Sequence, residues 1–359
     1  MRGNGSSVGE SSGAAKGGSN VNSAGEVLVS MLCWNVAGWA KGGQGGKDRS
    51  VESNDFRAKV INFFQPDVAC LVETWLKDDE KVDYDGYCWF GHNRSCLSRK
   101  AVRGSGGVGV LVKSSWCKWW SVVIVDVEVE DVLWVKFENK KSHEMFFVAV
   151  CYFPPVGSSR EVDTEERFQV LTEQIQRFQL EGQVVVCGDF NARCGNLKDH
   201  AGDMEWVSDR IGVDMVKNDQ GELLVECLLS AGLCFVNGRK GRDDFTCISS
   251  RGCSMVDYCL VPAEELHSIT NVRVQTMSQC EAALCCNEEG YRMPDHSVLA
   301  WDLVVGKCVS DSCRGASKGS DSPRRSTKYV VPEGYMTNDT DFIQSIIDGL
   351  KAVAGDQRA

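Results

Sequence analysis

The chain has 359 residues, of which 43% are hydrophobic and 25% charged, and its formal net charge is −11. This composition is typical of a globular protein with one large or two ordinary domains. The negative charge argues against binding nucleic acid through bulk electrostatics, but it allows a local basic rim. Residues 1–26 do not resemble a secretory signal and no apolar run is long enough to cross a bilayer, so we expect an intracellular protein without membrane contact.

The chain contains 18 cysteines and only five histidines. The cysteines are spread through predicted strands, as at Cys33, Cys151 and Cys187, which favours buried reduced thiols over a disulfide framework. No pair of cysteines has the spacing of a zinc knuckle, so we do not expect a structural zinc site.

The first part of the chain reads as a low-complexity segment followed by strands. Residues 1–26 are rich in Gly, Ser and Asn and are expected to be disordered. A buried strand, Val27 to Trp34, ends at Asn35; a helix, Asp55 to Phe64, follows; and the next strand, Asp67 to Val72, runs directly into Glu73. Five strands then alternate with short polar turns, as expected for antiparallel meanders: 87–92, 107–113, 122–129, 132–137 and 145–152. The last of them ends at Tyr152, before two prolines.

The second part begins with an amphipathic helix, Thr164 to Gln179, which leads into the strand Val184 to Cys187. Gly188 ends that strand, and Asp189 and Asn191 follow it. Further predicted elements are a helix at 221–231, strands at 233–236, 245–246, 255–261 and 297–304, and a loop insertion at 275–292. We predict one folded domain over 27–304, a linker over 305–330, and a tail over 331–359 with a short helix at 341–353.

Polar side chains stand where apolar strands meet turns, and they are candidates for one shared site. They are Asn35, Glu73, Tyr152, Asp189, Asn191, Asp295 and His296. If two stacked sheets bring these strand ends to one rim, the pocket is rich in oxygen ligands and suits Mg²⁺ or Mn²⁺. Such a metal neutralises a phosphoryl oxygen while a carboxylate activates water, so the pattern indicates phosphoester hydrolysis.

Asp257 lies within an apolar strand, where a carboxylate requires a partner. A hydrogen bond to a histidine would supply that partner and would fix the orientation of the imidazole ring.

Basic residues cluster in two predicted loops. One loop holds Arg94, Arg99, Lys100 and Arg103, and the other holds Arg239, Lys240 and Arg242. Either loop could contact phosphates, although solvated loop charge is the simpler interpretation.

Taken together, these motifs resemble the endonuclease/exonuclease/phosphatase superfamily over about Val27 to Val304. The matching segments are Trp34-Asn35-Val36, Glu73-Thr74-Trp75, Tyr152, Gly188-Asp189-Phe190-Asn191-Ala192-Arg193, Ser254-Met255-Val256-Asp257-Tyr258 and Asp295-His296-Ser297. The resemblance implies an α/β fold of the DNase I type, a four-layer sandwich of two mainly antiparallel β-sheets flanked by helices. The Glu-Thr-Trp-Leu segment, the strand at 106–112 and the Asp-Phe-Asn-Ala-Arg turn look most like the apurinic-like endonuclease domain of LINE-type retrotransposons, which a reverse transcriptase usually follows.

The resemblance also implies roles for single residues. Glu73 would be the main Mg²⁺ ligand, with Asn35 and Asp295 beside it. Asp189 would orient or deprotonate the attacking water, Asn191 and His296 would hold the scissile phosphate, Tyr152 would add a phosphate hydrogen bond, and Asp257 would orient His296. Ala37 stands where some apurinic-type members have a second acidic residue, which weakens the case for repair of abasic sites.

We therefore expect a monomeric, Mg²⁺-dependent endonuclease (with Mn²⁺ as an alternative metal) that nicks one strand of DNA, in the nucleus if it derives from a retrotransposon. Two alternatives stay open. The same fold could serve a phosphatase or phosphodiesterase acting on a lipid, an inositol phosphate or RNA, or it could serve a catalytically silent binding module.

Overall fold

The computed structural model describes residues 26–39, 49–95, 103–158, 163–202, 204, 206–284 and 293–306. The chain divides into two compact units, Met1–Cys308 and Val309–Ala359, and all described residues belong to the first. Residues 1–25 of the segment predicted to be disordered lie outside the described residues. The chain from residue 307 onward, with its predicted helix, also lies outside them. The domain boundaries stay predictions.

Fourteen strands and four α-helices are present in the described part of the chain. The strands are β1 Val27–Asn35, β2 Val68–Val72, β3 Tyr87–His92, β4 Val108–Lys113, β5 Trp120–Asp126, β6 Val132–Asn139, β7 Met145–Tyr152, β8 Gln183–Asp189, β9 Leu233–Phe235, β10 Cys247–Ser249, β11 Gly252–Ser254, β12 Asp257–Pro262, β13 Ile269–Gln275 and β14 Val298–Val305. The helices are α1 Arg49–Phe64, α2 Thr164–Gln179, α3 Asp219–Ala231 and α4 Met277–Leu284. None of these helices is both long and apolar enough to cross a membrane.

The strands form two six-stranded sheets and a separate β10–β11 hairpin. The strand order is β13-β14-β1-β2-β4-β3 in the first sheet and β5-β6-β7-β8-β12-β9 in the second. Each sheet contains one parallel pair, β1–β2 or β7–β8, and its other neighbours are antiparallel. Both sheets are therefore mainly antiparallel, as predicted.

The two sheets pack face to face around the largest apolar core, to which both contribute inward-facing residues. The outer face of the first sheet packs against α1 and α4, and the outer face of the second packs against α2 and α3. In α2, Phe168, Leu171, Ile175 and Phe178 form the buried stripe. The result is a helix–sheet–sheet–helix sandwich, which confirms the predicted fold class.

The predicted loop over 275–292 is wrong for its first part. Met277–Leu284 is helix α4, and Met277 and Cys280 are its buried residues. Their three-residue spacing places both side chains on one helical face, which packs toward α1. The hairpin β10–β11 was also missed, because its short strands are mostly exposed and lack an apolar alternation.

Four buried cysteines form a layer between the sheets, one from each of the strands β1, β2, β8 and β12. They are Cys33, Cys70, Cys187 and Cys259, and Cys33 pairs with Cys70 across β1–β2 as Cys187 pairs with Cys259 across β8–β12. All are free, and burial raises the pKa of the Cys187 and Cys259 thiols well above the usual value. The four buried thiols pack between the sheets as small apolar groups.

Candidate active site

Strand register brings the predicted polar ends of the second sheet together. Tyr152, at the end of β7, pairs with Asp189 at the end of the parallel strand β8. Asp257, the first residue of the antiparallel strand β12, pairs with Asp189 from the other side. Because neighbouring strands lie about 4.8 Å apart, these three residues occupy adjacent positions at one edge of the sheet.

The first sheet presents its own polar ends at the same rim. Asn35 ends β1 and pairs with Val72, so Glu73 follows immediately on the neighbouring parallel strand β2. His296 precedes β14, which runs antiparallel to β1 and therefore begins where β1 ends.

Asn35 links the two sheets through its side-chain amide. Its Nδ2 donates hydrogen bonds to Glu73 Oε1 at 3.2 Å and to Asp189 Oδ2 at 2.9 Å. The backbone N–H of Ala37 donates to Asn35 Oδ1 at 3.0 Å, which fixes the amide so that its NH₂ group faces the carboxylates. Asn35 is only 1% exposed, so these bonds form in a dry environment where they are strong.

His296 and Asp257 form the hydrogen-bonded pair that the sequence predicted. His296 Nδ1 lies 2.9 Å from Asp257 Oδ2, and His296 Nε2 lies 3.8 Å from Asp189 Oδ2. Burial lowers the pKa of His296, but the charges of Asp257 and Asp189 outweigh it and raise the pKa well above its usual value. This shift favours the protonated imidazole, in which both ring nitrogens carry an N–H.

Asp189 is the carboxylate at the centre of the site. Burial and then the charge of Asp257 raise its pKa to about 7, although His296 acts in the opposite direction. The backbone N–H of Asn191 donates to Asp189 Oδ1 at 3.0 Å. A carboxyl group with this pKa exchanges a proton near neutral pH, as a general base must.

Asn191 lies at the rim beside Asp189 with a φ of 48°, which is the left-handed conformation that asparagine tolerates. Its Nδ2 donates to the carbonyl of Phe153 at 2.9 Å, which uses one of the two amide N–H groups. The second N–H is the donor that could bind a phosphate oxygen.

Two other predicted site residues, Tyr152 and Asp295, differ in their burial. Tyr152 is 2% exposed and its ring belongs to the core between the sheets. Asp295 is exposed, and within the described part of the chain its side chain has no hydrogen bond or ion pair. Their roles stay predictions.

Trp75 was not among the predicted site residues, yet it contacts Glu73 directly. Its indole Nε1 donates to Glu73 Oε2 at 2.7 Å. Glu73 and Trp75 have φ values of 53° and 54°, a left-handed conformation that costs non-glycine residues about 1 kcal/mol or more each. The Glu73-Thr74-Trp75 sequence did not predict this hydrogen bond, because the bond depends on a backbone conformation that the sequence pattern does not indicate.

The donor set fits a divalent cation. Asp189, Asp257 and His296 place ligand atoms within 4.8 Å of one another, an acidic/His cluster consistent with such a site. A protonated imidazole has no free lone pair, so the carboxylates are the better ligands. Asp189 and Asp257 lie against His296, Glu73 shares the Asn35 amide with Asp189, and Asp257 Oδ1 is buried without a partner among the described residues. This excess of negative charge on oxygen atoms is what a hard cation such as Mg²⁺ offsets.

Two of the five described residues of the predicted basic loops, Arg94 and Arg239, form structural ion pairs. Arg94 is buried and pairs with Asp131, and Arg239 is buried and pairs with Asp199 at 2.7 Å. Arg103 is exposed, and its guanidinium lies 3.7 Å above the Trp75 ring. Arg99 and Lys100 lie outside the described residues.

Residues 32–274 match the model of the endonuclease/exonuclease/phosphatase family. The chain belongs to this family. The match indicates the fold of the family's phosphodiesterases, and the acidic/His cluster is consistent with the divalent metal site typical of the family. Comparison with curated proteins gave no match.

Solved structures are similar to this chain at low sequence identity. The AP endonuclease LMAP from Leishmania major is 15% identical with a TM-score of 0.56, over 77% of this chain and 87% of that one. The 3′ phosphatase NExo from Neisseria, bound to a product DNA hairpin, is 15% identical with a TM-score of 0.50, over 77% of this chain and 99% of that one. The endonuclease domain of TRAS1, a telomere-specific non-LTR retrotransposon, is 16% identical with a TM-score of 0.47, over 77% and 98%.

Proposed function

We propose that this family member is a Mg²⁺-dependent DNA endonuclease that nicks one strand of a duplex, as in target-site cleavage by retrotransposons. The observation that carries the proposal is the hydrogen-bonded chain from Glu73 through Asn35 to Asp189, with the His296–Asp257 hydrogen-bonded pair beside it, His296 Nε2 lying 3.8 Å from Asp189 Oδ2. The DNA substrate is supported by the motifs that resemble LINE-type endonuclease domains. We propose that it acts in the nucleus as a monomer.

The reaction assigns each group a step that its surroundings favour. Asp189, with its pKa near neutrality, accepts a proton from the attacking water. His296 is cationic and donates a hydrogen bond to a non-bridging oxygen of the scissile phosphate, where negative charge develops. Asp257 holds the imidazole in place, and the side-chain amide of Asn191, next to Asp189 in the site, adds a further N–H donor.

Glu73 is the carboxylate best placed to hold the metal, because it is half-buried and its two oxygens are already oriented by Asn35 and Trp75. Asp295, an exposed residue next to His296 in the chain, is proposed as a further ligand. When bound, Mg²⁺ or Mn²⁺ supplies the positive charge that neutralises a phosphoryl oxygen.

Supercoiled plasmid tests this proposal with the full-length chain. We expect conversion of supercoiled to nicked circles with Mg²⁺ and none with EDTA. Asp189→Ala and His296→Ala are each expected to lower the nicking rate by at least about 10²-fold. Gln169→Ala, on the exposed face of α2, is the matched control and should nick at the wild-type rate. Wild-type activity in both site variants would refute the assigned residues.

The second candidate is a phosphatase or phosphodiesterase acting on a lipid, an inositol phosphate or RNA. It is favoured by the net charge of −11 and by the burial of Arg94 and Arg239, which leave a less basic surface than a DNA-binding protein normally has. One panel of plasmid, abasic duplex, RNA and inositol phosphate separates the two candidates. Turnover of the inositol phosphate with intact plasmid would establish the second.

A further inference from the structure

Trp75 and Arg103 form a stacked pair beside Glu73, and the reaction scheme above gives Arg103 no role. The indole ring donates its N–H to Glu73 Oε2 at 2.7 Å, and the Arg103 guanidinium covers the ring face at 3.7 Å from the centroid. The indole ring thus contacts both Glu73, the proposed main metal ligand, and the exposed, positively charged Arg103.

The pair is held by a built backbone arrangement. Trp75 N donates to the carbonyl of Gly106 at 2.9 Å, and Gly104 N donates to the carbonyl of Trp75 at 3.0 Å, so the segment carrying Arg103 is fastened to the segment carrying the ring. A Cβ at Gly104 would come within 2.1 Å of the Leu76 carbonyl oxygen. Only glycine permits this approach.

Gly38 packs against the indole ring near Cε3. A Cβ there would lie 2.2 Å from Trp75 Cε3, and the Gly38 N–H donates to the carbonyl of Glu73 at 2.7 Å. This close approach restricts movement of the ring, whose N–H donates to the carboxylate. A hydrogen bond to a metal-binding carboxylate fixes which oxygen faces the ion, and the loss of such a partner typically weakens metal binding by about 10- to 100-fold.

Arg103 keeps its donors available. Stacking uses the face of the guanidinium, whereas the N–H groups lie in its plane. Within the described residues no carboxylate pairs with Arg103, in contrast to Arg94 and Arg239. A planar fork of N–H donors next to the metal ligand matches a phosphate group of a bound strand.

We infer that Trp75 is a positioning residue for the metal ligand Glu73 and that Arg103, stacked on it, binds a phosphate of the DNA strand next to the scissile one. The inference rests on the proposed function for its substrate, but its metal-binding half concerns the protein alone. The two halves separate experimentally, because Trp75→Phe removes the N–H and keeps the ring, whereas Arg103→Met removes the charge and keeps the stacked chain.

The first measurement is Mn²⁺ affinity of the full-length protein without DNA, by titration calorimetry. Trp75→Phe is expected to weaken Mn²⁺ binding by about 10-fold or more, and Trp75→His, which keeps a ring N–H donor, should recover part of the loss. Glu73→Gln defines the level at which binding is lost. An affinity of Trp75→Phe within about twofold of wild type, in a variant with wild-type circular dichroism, would overturn the positioning role.

The second measurement is the salt dependence of duplex binding in the presence of Ca²⁺. Arg103→Met should lower the slope of log affinity against log salt by about one unit, while its Mn²⁺ affinity stays at the wild-type value. Arg103→Lys should restore the slope. An unchanged slope in Arg103→Met would overturn the phosphate contact.

The matched controls are Trp119→Phe and Lys141→Met, which alter a second exposed cation–ring pair with a separation of 5.1 Å. This pair lies near the turn between β6 and β7, at the far end of β7 from Tyr152, so neither control should change either measurement. Failure of the wild-type protein to bind or cut DNA would refute the proposed function, whereas the Mn²⁺ result for Trp75→Phe would still decide the positioning role.

Discussion

Replacing Asn35 by alanine tests whether the amide holds the two sheets' carboxylates together. The side chain is 1% exposed and donates to Glu73 Oε1 at 3.2 Å and to Asp189 Oδ2 at 2.9 Å. A hydrogen bond to a charged group contributes roughly 1.5–3 kcal/mol, and a buried acceptor left without a donor carries its desolvation penalty. Because the two bonds share one donor group and are not additive, Asn35→Ala should lower the free energy of unfolding by about 3–5 kcal/mol.

The assay is urea unfolding in EDTA, with the free energy taken from the midpoint and the slope. Asn35→Asp should be at least as destabilised as Asn35→Ala, because it places a third carboxylate against Glu73 and Asp189. Added Mg²⁺ should recover more stability in Asn35→Asp than in wild type, since the extra negative charge strengthens cation binding.

The matched control is Gln169→Ala. It removes another amide that donates to a carboxylate, Glu173 Oε1 at 3.4 Å, but on an exposed helical face. This change should cost less than about 0.5 kcal/mol. A value for Asn35→Ala within about 1 kcal/mol of wild type would show that the amide bridge does not hold the site together.

Three further changes test other parts of the structure. Asp257→Asn should lower kcat by about 10²- to 10⁴-fold and bring the His296 titration, followed by NMR, down toward pH 6.5; an unmoved titration would contradict the pairing. Burial raises the pKa of Glu265 from 4.5 to about 7, so the folded state holds this proton more tightly and stability is lost as pH rises from 4.5 to 7. In paired urea titrations, the unfolding free energy of Glu265→Gln should therefore exceed that of wild type by up to about 3 kcal/mol at pH 8 and should equal it at pH 4. A difference that does not change with pH would contradict the raised pKa of Glu265. Gly188→Ala would place a Cβ 1.9 Å from the Cys151 carbonyl oxygen and should lower the unfolding free energy by about 3 kcal/mol or more, whereas Gly252→Ala, also at positive φ but in open space, should cost about 1 kcal/mol.

Much of the site was predictable because it stands at strand ends. The run of valines before Gly188 predicted β8, and the apolar run after Asp67 predicted β2, so the places of Asp189 and Glu73 followed from local patterns. Asp257 was identified by the cost of burying a carboxylate, and its bond to His296 gives that carboxylate the expected partner.

The parts that escaped prediction depend on contacts between distant segments. Arg94 looked like a surface charge, but Asp131, 37 positions away, accepts its hydrogen bonds in the interior. Trp75 contacts Glu73 only because both residues adopt a left-handed backbone conformation. Helix α4 was not predicted, because it lies in a cysteine-containing segment and only two of its residues are buried. Two positions are too few to show a helical period.

The cysteine layer ties catalytic competence to strand pairing. Cys33, Cys187 and Cys259 each stand two residues from Asn35, Asp189 or Asp257, so thiol and polar group share one face of their strand. A slip of one residue in any of these strands would turn a thiol outward and carry a polar group away from the rim. A molecule with a slipped strand would therefore lose its site, and the fraction of molecules with an intact site would report how many chains have these strands in the correct register.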